Sequence, residues 1–230
     1  MAYSIKKLPP NVFDLEKLQG KTRVFADRVH AGEVLSAMLQ PYQAAGGLLL
    51  GIPAGGLPVA SAIRKKLALE MDVAVVSKIT LPWNTEAGYG AVSFDGTVRL
   101  NQAMVAHVGL SESQIQDGSQ KTTQKVIRRI KLLRGARPFP QVHHRPVILV
   151  DDGLASGFTM LVAVESLKKA GAGEIVVAVP TGHRDSVQKI AEQVTDVFCP
   201  NIRSGMSFAV ADAYENWSDV AEEELLEILS

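Results

Sequence analysis

The sequence Pro146-Val-Ile-Leu-Val-Asp151-Asp152-Gly-Leu-Ala-Ser156-Gly157-Phe-Thr159-Met160 joins a short apolar run to two adjacent carboxylates and a loop of small residues. A helical pattern of apolar residues follows the loop. Strand, loop and helix in this order are typical of phosphate sites, because the first turn of a helix offers backbone N–H groups to an anion. The stretch therefore predicts a buried strand that ends at a ligand-binding loop.

The loop after the two carboxylates has the composition of a phosphate-binding turn. Its candidate phosphate-binding residues are Ala155, Ser156, Gly157, Phe158 and Thr159. Ser156 and Thr159 add hydroxyl donors, and Gly157 tolerates positive φ and lets the backbone approach a ligand closely. Each charge-assisted hydrogen bond to phosphate would contribute about 1.5–3 kcal/mol.

Asp151 and Asp152 need a different partner, because two carboxylates beside a phosphate repel it. The hydroxyl groups of a ribose can donate hydrogen bonds to such carboxylates, and Mg²⁺ readily bridges hydroxyl and phosphate oxygens. The alternative is that the pair only caps the following helix, a task for which one aspartate is sufficient. The complete stretch favours a ribose-phosphate site.

Residues Val147–Thr159 resemble the phosphoribosyl-pyrophosphate (PRPP) motif of the type I phosphoribosyltransferases. The resemblance implies that Asp151 and Asp152 meet the ribose 2′- and 3′-hydroxyls, that residues 155–159 hold the 5′-phosphate, and that Mg²⁺ is carried by PRPP near the two aspartates. The fold it implies is α/β, a Rossmann-like, mainly parallel sheet flanked by helices, with a β-hairpin flexible loop and a helical insertion. It also makes a homodimer an expectation.

A second loop follows the apolar run Leu48–Ile52 and precedes a predicted helix, and it consists of Pro53, Ala54, Gly55 and Gly56. Its glycine pair offers backbone N–H groups to an anion, and by resemblance it is the pyrophosphate loop. The alternative is an ordinary tight turn between strand and helix. Related loops often carry arginine where this chain has Ala54 and a basic residue where it has Ser77, so we expect weaker pyrophosphate contacts here.

A predicted strand from Asp72 ends at Lys78, which would place Lys78 at the carboxyl edge of the sheet, where open α/β folds bind ligands. Lys78 is therefore a candidate catalytic residue together with the two aspartates. Residues 80–101 resemble the flexible loop of the family, with a hairpin around Asp95-Gly96. Trp83 and Glu86 are its candidate substrate contacts. The alternative is a hairpin packed on the surface or on a partner subunit.

Composition sets the remaining expectations. The 230 residues carry 24 basic and 24 acidic side chains and one cysteine, which disfavours nucleic acid as a partner and fits a reducing, cytoplasmic location. That cysteine, Cys199, lies in an apolar run and is expected to fill the core. No apolar run approaches the roughly 18 residues of a membrane-spanning helix. We expect an arm over residues 1–22 and one domain over 23–230, with a helical insertion over about 111–135 that begins at a partial capping box.

The sequence thus predicts a Mg²⁺-dependent phosphoribosyltransferase that moves phosphoribose from PRPP to a nucleobase-like acceptor with release of pyrophosphate. Relatives of the hypoxanthine–guanine type carry an acidic residue where this chain has Ala155. An alanine there is compatible with adenine-, uracil- or orotate-like patterns and does not choose among them. The alternative, motivated by Ala54 and Ser77, is a non-catalytic regulatory protein of the same fold that binds PRPP or a nucleotide.

Overall fold

The computed structural model describes residues 7–205 and 207–230, apart from the side chain of Glu86. Its strands are β1 (Val12–Phe13), β2 (Leu48–Gly51), β3 (Glu70–Val73), β4 (Val76–Leu81), β5 (Asn84–Ser93), β6 (Val98–Leu100), β7 (Val147–Val150), β8 (Ile175–Ala178), β9 (Thr181–His183), β10 (Asp196–Phe198) and β11 (Asn201–Arg203). Its helices are α1 (Arg28–Met38), α2 (Gln40–Ala44), α3 (Gly56–Leu67), α4 (Gln102–Val108), α5 (Glu112–Arg134), α6 (Phe158–Lys169), α7 (Arg184–Ala191) and α8 (Glu222–Leu229).

Six parallel strands form the central sheet in the order β1-β10-β8-β7-β2-β3. Along β7, Val147 and Leu149 contribute to one apolar cluster, while Ile148 and Val150 contribute to another. Since successive side chains of a strand point to opposite faces, both faces of this strand are buried under helices, which explains its uninterrupted apolar sequence. The predicted α/β fold with a mainly parallel, helix-flanked sheet is confirmed.

The predicted N-terminal arm contributes to this sheet. Residues Val12 and Phe13 form β1, which pairs with β10 at the sheet edge, and the Asn11 side chain donates to the carbonyl of Ala191 at 2.9 Å. Residues 1–6 of the predicted arm lie outside the described residues. The domain boundary after residue 22 stays a prediction.

The predicted strand from Asp72 to Lys78 is wrong. The chain leaves the parallel sheet after Val73 and enters β4 at Val76, which belongs to a separate antiparallel sheet of β4, β5 and β6. Lys78 is the third residue of β4 and pairs with Ala91, so it does not end a strand of the central sheet. Residues 73–76 are all apolar and buried, so the sequence shows no sign that the chain passes from one sheet to the other within this run.

The antiparallel sheet contains two turns of different character. The predicted hairpin around Asp95-Gly96 is confirmed by the pairing of β5 with β6, and Ser166 of α6 donates to its Asp95 carboxylate at 2.8 Å. The segment before it, for which the sequence shows no periodicity, forms a second hairpin between β4 and β5 with irregular register. Trp83 lies at that turn and is 63% exposed. One end of the sheet is thus held on α6, and the other faces solvent.

Asp95→Asn is expected to loosen the attachment of the hairpin to α6. Burial acts to raise the pKa of Asp95, but hydrogen bonds from Thr97 and Ser166 outweigh it and lower the pKa. Because the folded pKa lies below the unfolded one, this stabilisation is present above the unfolded pKa and is lost as pH falls through the folded pKa. The variant should lose about 1 kcal/mol of unfolding free energy near neutral pH. Its unfolding free energy should also fall less steeply than that of the parent as the pH is lowered.

Urea unfolding of parent and variant at neutral pH and in acid would measure both effects. Glu192→Gln, at an exposed carboxyl group that follows α7, is the control and should match the parent. If the unfolding free energy of Asp95→Asn depends on pH as that of the parent does, the Asp95 carboxylate does not stabilise the hairpin in the way proposed.

Helix α5 confirms the predicted helix over about 111–135. Ser111 accepts a hydrogen bond from the Gln114 backbone, and the Gln114 side chain accepts one from the Ser111 backbone, which completes the capping box. Near its end, Arg134 pairs with Asp72 at 3.3 Å, which joins the helix to β3. Among residues 7–205 and 207–230, no helix combines the length and the apolar character needed to cross a membrane.

Candidate functional site

The two predicted ligand loops lie side by side at the carboxyl edge of the central sheet. Strand β2 leads into residues 53–56 and strand β7 into residues 151–157, and β2 and β7 are neighbours in the sheet. The chain continues from β2 to β3 on one side and from β7 to β8 on the other, so the loops flank a topological switch point, where open α/β sheets bind ligands. Helices α3 and α6 begin at these loops and direct their N-termini to this edge.

The loops touch each other through residues without side chains. A Cβ atom on Gly55 would overlap the carboxyl group of Asp152 and lie 3.1 Å from its Cβ. A Cβ atom on Gly56 would overlap the Val150 carbonyl and lie 2.9 Å from the Asp151 Cα. The peptide bond between Pro53 and Ala54 is cis. The glycine pair therefore lets the 53–56 loop lie directly against the two aspartates.

Asp151 and Asp152 form an electrostatically strained pair. Burial raises the pKa of Asp151 well above its ordinary value, and the neighbouring Asp152 carboxylate raises it further. Burial also raises the pKa of Asp152, although the Arg28 guanidinium opposes that shift. Such raised carboxyl pKa values in a cleft are a feature of functional sites as well as of buried ion pairs. A ligand that donates hydrogen bonds to this pair would relieve its poor solvation.

The loop after the aspartates is held from behind by β9 and α7. The Leu154 backbone donates to the Thr181 carbonyl and accepts from His183, both at 2.9 Å, and the Ser186 hydroxyl donates to the Ala155 carbonyl at 2.5 Å. Gly157 has φ +72° directly before α6. Ala155 and Ser156 are exposed, and Phe158 and Thr159 are partly buried. The structure thus supports one side of the loop and leaves the other accessible to a ligand.

A residue that the sequence did not single out completes the site. Arg28, the first residue of α1, donates from Nε to the Asp152 carboxylate at 2.9 Å and from Nη1 to the Ser218 carbonyl at 2.8 Å. Its guanidinium group stacks on Trp217, 3.9 Å from the ring centroid. Because Arg28 and Asp152 are 124 residues apart, no local pattern pointed to this contact.

The C-terminal segment Ser207–Ser218 covers the carboxylate side of the site. The Tyr214 hydroxyl donates to the Asp152 carbonyl at 2.5 Å, and a Cβ atom on Gly153 would overlap the side chain of Val210. Tyr214 is buried, whereas Trp217 is 40% exposed. Met206, just before this segment, lies outside the described residues.

The remaining candidates lie on the antiparallel sheet. Lys78 is exposed, and a Cβ atom on Gly88 would overlap its Cγ and Cδ carbons. Ala54 of the 53–56 loop packs against the apolar cluster that includes Ile79 of β4. Trp83 lies at the exposed β4–β5 turn, and the Glu86 side chain lies outside the described part of the chain. The structure thus unites the two loops and the two aspartates, and places Lys78 and Trp83 on a separate element.

Two carboxylates are the acidic ligands that this site offers to a cation. Over the described residues, no group of three or more His, Cys, Asp or Glu side chains could hold a metal ion. A pair of carboxylates fits Mg²⁺, which is usually bound through one or two carboxylates together with substrate phosphates and water. The donor set therefore fits a magnesium ion that arrives with a phosphorylated ligand.

The single cysteine is not part of this chemistry. Cys199 is fully buried between β10 and β11, and burial raises the pKa of its thiol far above the ordinary value. A neutral, inaccessible thiol is a poor nucleophile. The expectation that Cys199 fills the core is confirmed.

Comparison with known proteins gives matches over most of the chain. A sequence family described as "Phosphoribosyl transferase domain" matches residues 99–213. A uracil phosphoribosyltransferase of Streptococcus uberis is 32% identical over 166 residues, which are 70% of this chain and 68% of that protein. The crystal structure of TT1426 from Thermus thermophilus has 30% identity and a TM-score of 0.73, and the alignment covers 89% of this chain and 97% of that one.

A longer relative extends the comparison. The Mycobacterium tuberculosis H37Rv protein Rv0571c, whose name provisionally describes a phosphoribosyl transferase, is 31% identical over 207 residues. These residues are 90% of this chain and 46% of the relative, so the chain spans about half the length of that protein.

Proposed function

The chain belongs to the phosphoribosyltransferase family, and from that premise we propose that it transfers the phosphoribosyl group of PRPP to a nitrogenous acceptor with release of pyrophosphate. The observation that carries the proposal is the contact between the two loops. Gly55 of the 53–56 loop lies against the Asp152 carboxylate, so one ligand with phosphates at both ends of a ribose can reach both loops at once. A site for a simple phosphate ester would need only one loop.

Each part of the site then has a separate task. The backbone N–H groups of residues 155–159, at the N-terminus of α6, hold the 5′-phosphate. Asp151 and Asp152 accept hydrogen bonds from the ribose hydroxyls. The 53–56 loop and the N-terminus of α3 receive the pyrophosphate. The ribose C1′ is thereby fixed between leaving group and acceptor.

The reaction breaks the bond from C1′ to pyrophosphate and forms a bond from C1′ to a nitrogen of the acceptor, and the proton of that nitrogen is released to solvent. The chain's residues promote the reaction in two ways: they hold C1′ and the acceptor in position, and they stabilise negative charge on the departing pyrophosphate. Asp151 and Asp152, together with PRPP, are the groups that would hold Mg²⁺, and the ion supplies neutralisation of pyrophosphate charge when it is bound. We propose Mg²⁺ as the cofactor on this basis.

The antiparallel sheet is the proposed cover of the site. Its Asp95 turn is bound to α6, while its Trp83 turn is exposed, so closure would bring Trp83, Glu86 and Lys78 toward the ligand from the solvent side. A cover of this kind excludes water, which would otherwise compete with the acceptor for PRPP. In this proposal Lys78 contacts pyrophosphate only after closure.

Compartment and assembly are further parts of the proposal. The buried thiol of Cys199 and the balanced charge of the chain are compatible with an enzyme of the cytoplasm that works on small molecules and not on nucleic acid. A homodimer is proposed from the family resemblance.

One observation favours a second function, a regulatory protein that binds PRPP or a nucleotide without turnover. Ala54 and Ser77 stand where related proteins often carry basic residues, and the absence of one charge-assisted contact to pyrophosphate would cost about 1.5–3 kcal/mol, or roughly tenfold or more in affinity. Ribose-phosphate binding would survive this change better than pyrophosphate release. The two functions share a site and differ in turnover.

The test is a titration of the full chain with PRPP and Mg²⁺ by calorimetry, followed by a pyrophosphate-release assay with a panel of bases. Uracil is the first acceptor to test, because a uracil phosphoribosyltransferase is among the relatives, and adenine, hypoxanthine and orotate follow. We expect saturable binding that requires Mg²⁺ and pyrophosphate release with one of these bases.

The outcomes separate the two functions. Binding together with base-dependent release establishes the transferase and identifies its acceptor. Binding without release across the panel favours the regulatory protein. Absence of PRPP binding, in a sample whose circular dichroism shows a folded α/β protein, would contradict both.

A further inference from the structure

Arg28 and Asp152 are 124 residues apart in the sequence, and their side chains form a hydrogen bond within the site. The Arg28 side chain is 11% exposed and reaches from the start of α1 to Asp152, whose side chain is 16% exposed. The guanidinium group is held by three partners at once: a carboxylate, the Ser218 carbonyl and the face of Trp217. Arginine, unlike lysine, has a planar cationic group that can donate in two directions and stack on an aromatic ring at the same time.

The start of α1 is itself fixed in place. The Asp27 side chain caps the helix by accepting from the His30 backbone at 2.8 Å, and Gly32 lets α1 approach α3 so closely that a Cβ atom there would lie 2.7 Å from the Ala62 Cβ. Helix α3 begins at the 53–56 loop. Arg28 therefore extends from an element that is rigidly packed on the helix behind that loop.

The C-terminal segment is joined to the same place. The Glu215 backbone donates to the Phe25 carbonyl at 2.8 Å, and the Asn216 backbone donates to the Ala26 carbonyl at 2.9 Å. These bonds bring Trp217 and Ser218 over Arg28. The carboxylate of Asp152 is thus enclosed by Gly55 on one side and by Arg28, backed by the C-terminal segment, on another.

We propose that Arg28 is a positioning residue: it fixes the Asp152 carboxylate for the ribose hydroxyls and joins the C-terminal segment to the ligand site, so that binding at Asp152 is sensed at Trp217. The proposal rests on the proposed function, because it takes the ribose of PRPP as the group that Asp152 receives. An ion pair with only a structural role would hold the fold and leave the affinity of folded protein for PRPP unchanged.

The chain offers a matched control at the opposite edge of the sheet. Arg145 also donates to one carboxylate and one carbonyl, namely Glu70 at 2.8 Å and Gly46 at 3.1 Å. Glu70 is the first residue of β3 and pairs with Leu48, the first residue of β2, so this ion pair lies at the amino edge, away from the loops. Arg145→Met removes the same kinds of contact without reaching the site.

The experiment measures PRPP binding in the presence of Mg²⁺ by calorimetry for the parent, Arg28→Met, Arg28→Lys and Arg145→Met. We expect Arg28→Met to bind PRPP at least about tenfold more weakly. This is the effect expected when the displaced Asp152 loses one charge-assisted hydrogen bond to the ribose. Arg28→Lys should fall between parent and Arg28→Met, because an ammonium group keeps the charge but lacks the planar fork that reaches both acceptors. Arg145→Met should bind as the parent does.

A second readout follows Trp217 directly. In a Trp83→Phe background, Trp217 is the remaining tryptophan. Because Trp83 is itself a proposed ligand contact, the PRPP affinity of Trp83→Phe is measured first, and saturating PRPP is used. The fluorescence of Trp217 should then change on addition of PRPP with Mg²⁺ when Arg28 is present. The change should be absent in Trp83→Phe, Arg28→Met at PRPP concentrations that saturate it. A purely structural ion pair would not remove this response from folded protein.

The results decide between the possibilities. Parent-like PRPP affinity in folded Arg28→Met overturns the inference, while binding by the parent still supports PRPP as the ligand of the site. If Arg28→Met does not fold, Arg28→Lys decides, and an affinity equal to that of the parent overturns the inference. Failure of the parent itself to bind PRPP removes the proposed function, and the inference falls with it.

Discussion

Replacement of both aspartates (Asp151→Asn, Asp152→Asn) is expected to weaken PRPP binding by about a hundredfold or more, because each hydrogen bond from a ribose hydroxyl to a carboxylate contributes about 1.5–3 kcal/mol. Asparagine keeps the shape of the side chain and removes its charge. Calorimetric titration with PRPP and Mg²⁺ measures the loss. Glu192→Gln, outside the site, should bind as the parent does.

The single variant Asp151→Asn should also change stability, in the opposite direction to its effect on binding. Burial raises the pKa of Asp151, so the folded protein holds this proton more tightly than the unfolded chain does. The stability from this group is complete below the unfolded pKa and is lost as pH rises through the folded pKa. Asparagine cannot ionise, so the variant should be more stable than the parent at neutral and mildly alkaline pH and should converge with it in acid.

Thermal unfolding of parent and Asp151→Asn across this pH range would measure the effect. Each kcal/mol of relieved penalty should raise the melting temperature by about 2–4 °C in a chain of this size. A gain in stability combined with a loss of PRPP binding would identify Asp151 as a residue kept for function at the expense of the fold. Parent-like PRPP affinity in the double variant would show that the ribose assignment is wrong.

The sequence was sufficient for the parts of the site that are local in the chain. Strand β7, its two aspartates and the loop before α6 are consecutive, so their chemistry and order could be read directly from residues 147–159. The same holds for the capping box at Ser111. In each case one short segment contains both the donor and the acceptor, or both the strand and the helix that position the loop.

The errors and omissions have a common physical origin in partners distant along the chain. The uniformly apolar residues 73–76 predict a strand of the central sheet that continues to Lys78, and only the pairing of β4 with β5 shows that β4 belongs to another sheet. No sequence pattern indicates Arg28, because its partners Asp152 and Ser218 come from the far half of the chain. A pattern within a single segment carries no information about such contacts.

Gly55→Ala is expected to disrupt the site more than any other substitution by a single methyl group. The backbone of Gly55, with φ −64° and ψ −27°, suits alanine, so conformational preference raises no obstacle. The obstacle is steric, because the added Cβ would overlap the Asp152 carboxylate. That carboxylate is held by Arg28, and the backbone carbonyl of Asp152 is held by Tyr214, so the side chain has little freedom to move aside.

We expect Gly55→Ala to lose about 1–3 kcal/mol of unfolding free energy, the usual cost of overpacking. It should also bind PRPP at least about tenfold more weakly, since Asp152 is displaced from its place beside the 53–56 loop. Urea unfolding and calorimetric titration measure the two losses. Gly173→Ala is the control, because the nearest atom to its added Cβ lies at an ordinary 3.5 Å.

A double-mutant cycle with Asp152→Ala tests whether the clash is the cause. Truncation of Asp152 removes the carboxyl group that the methyl group added by Gly55→Ala would strike, so adding Gly55→Ala to Asp152→Ala should cost little further stability. The coupling energy should then account for most of the loss seen with Gly55→Ala alone. PRPP binding should stay weak in the double variant, because the carboxylate that we propose to bind the ribose is absent. If the two losses in stability simply add, Gly55 and Asp152 act independently, and the contact between the two loops is not what makes glycine necessary at this position.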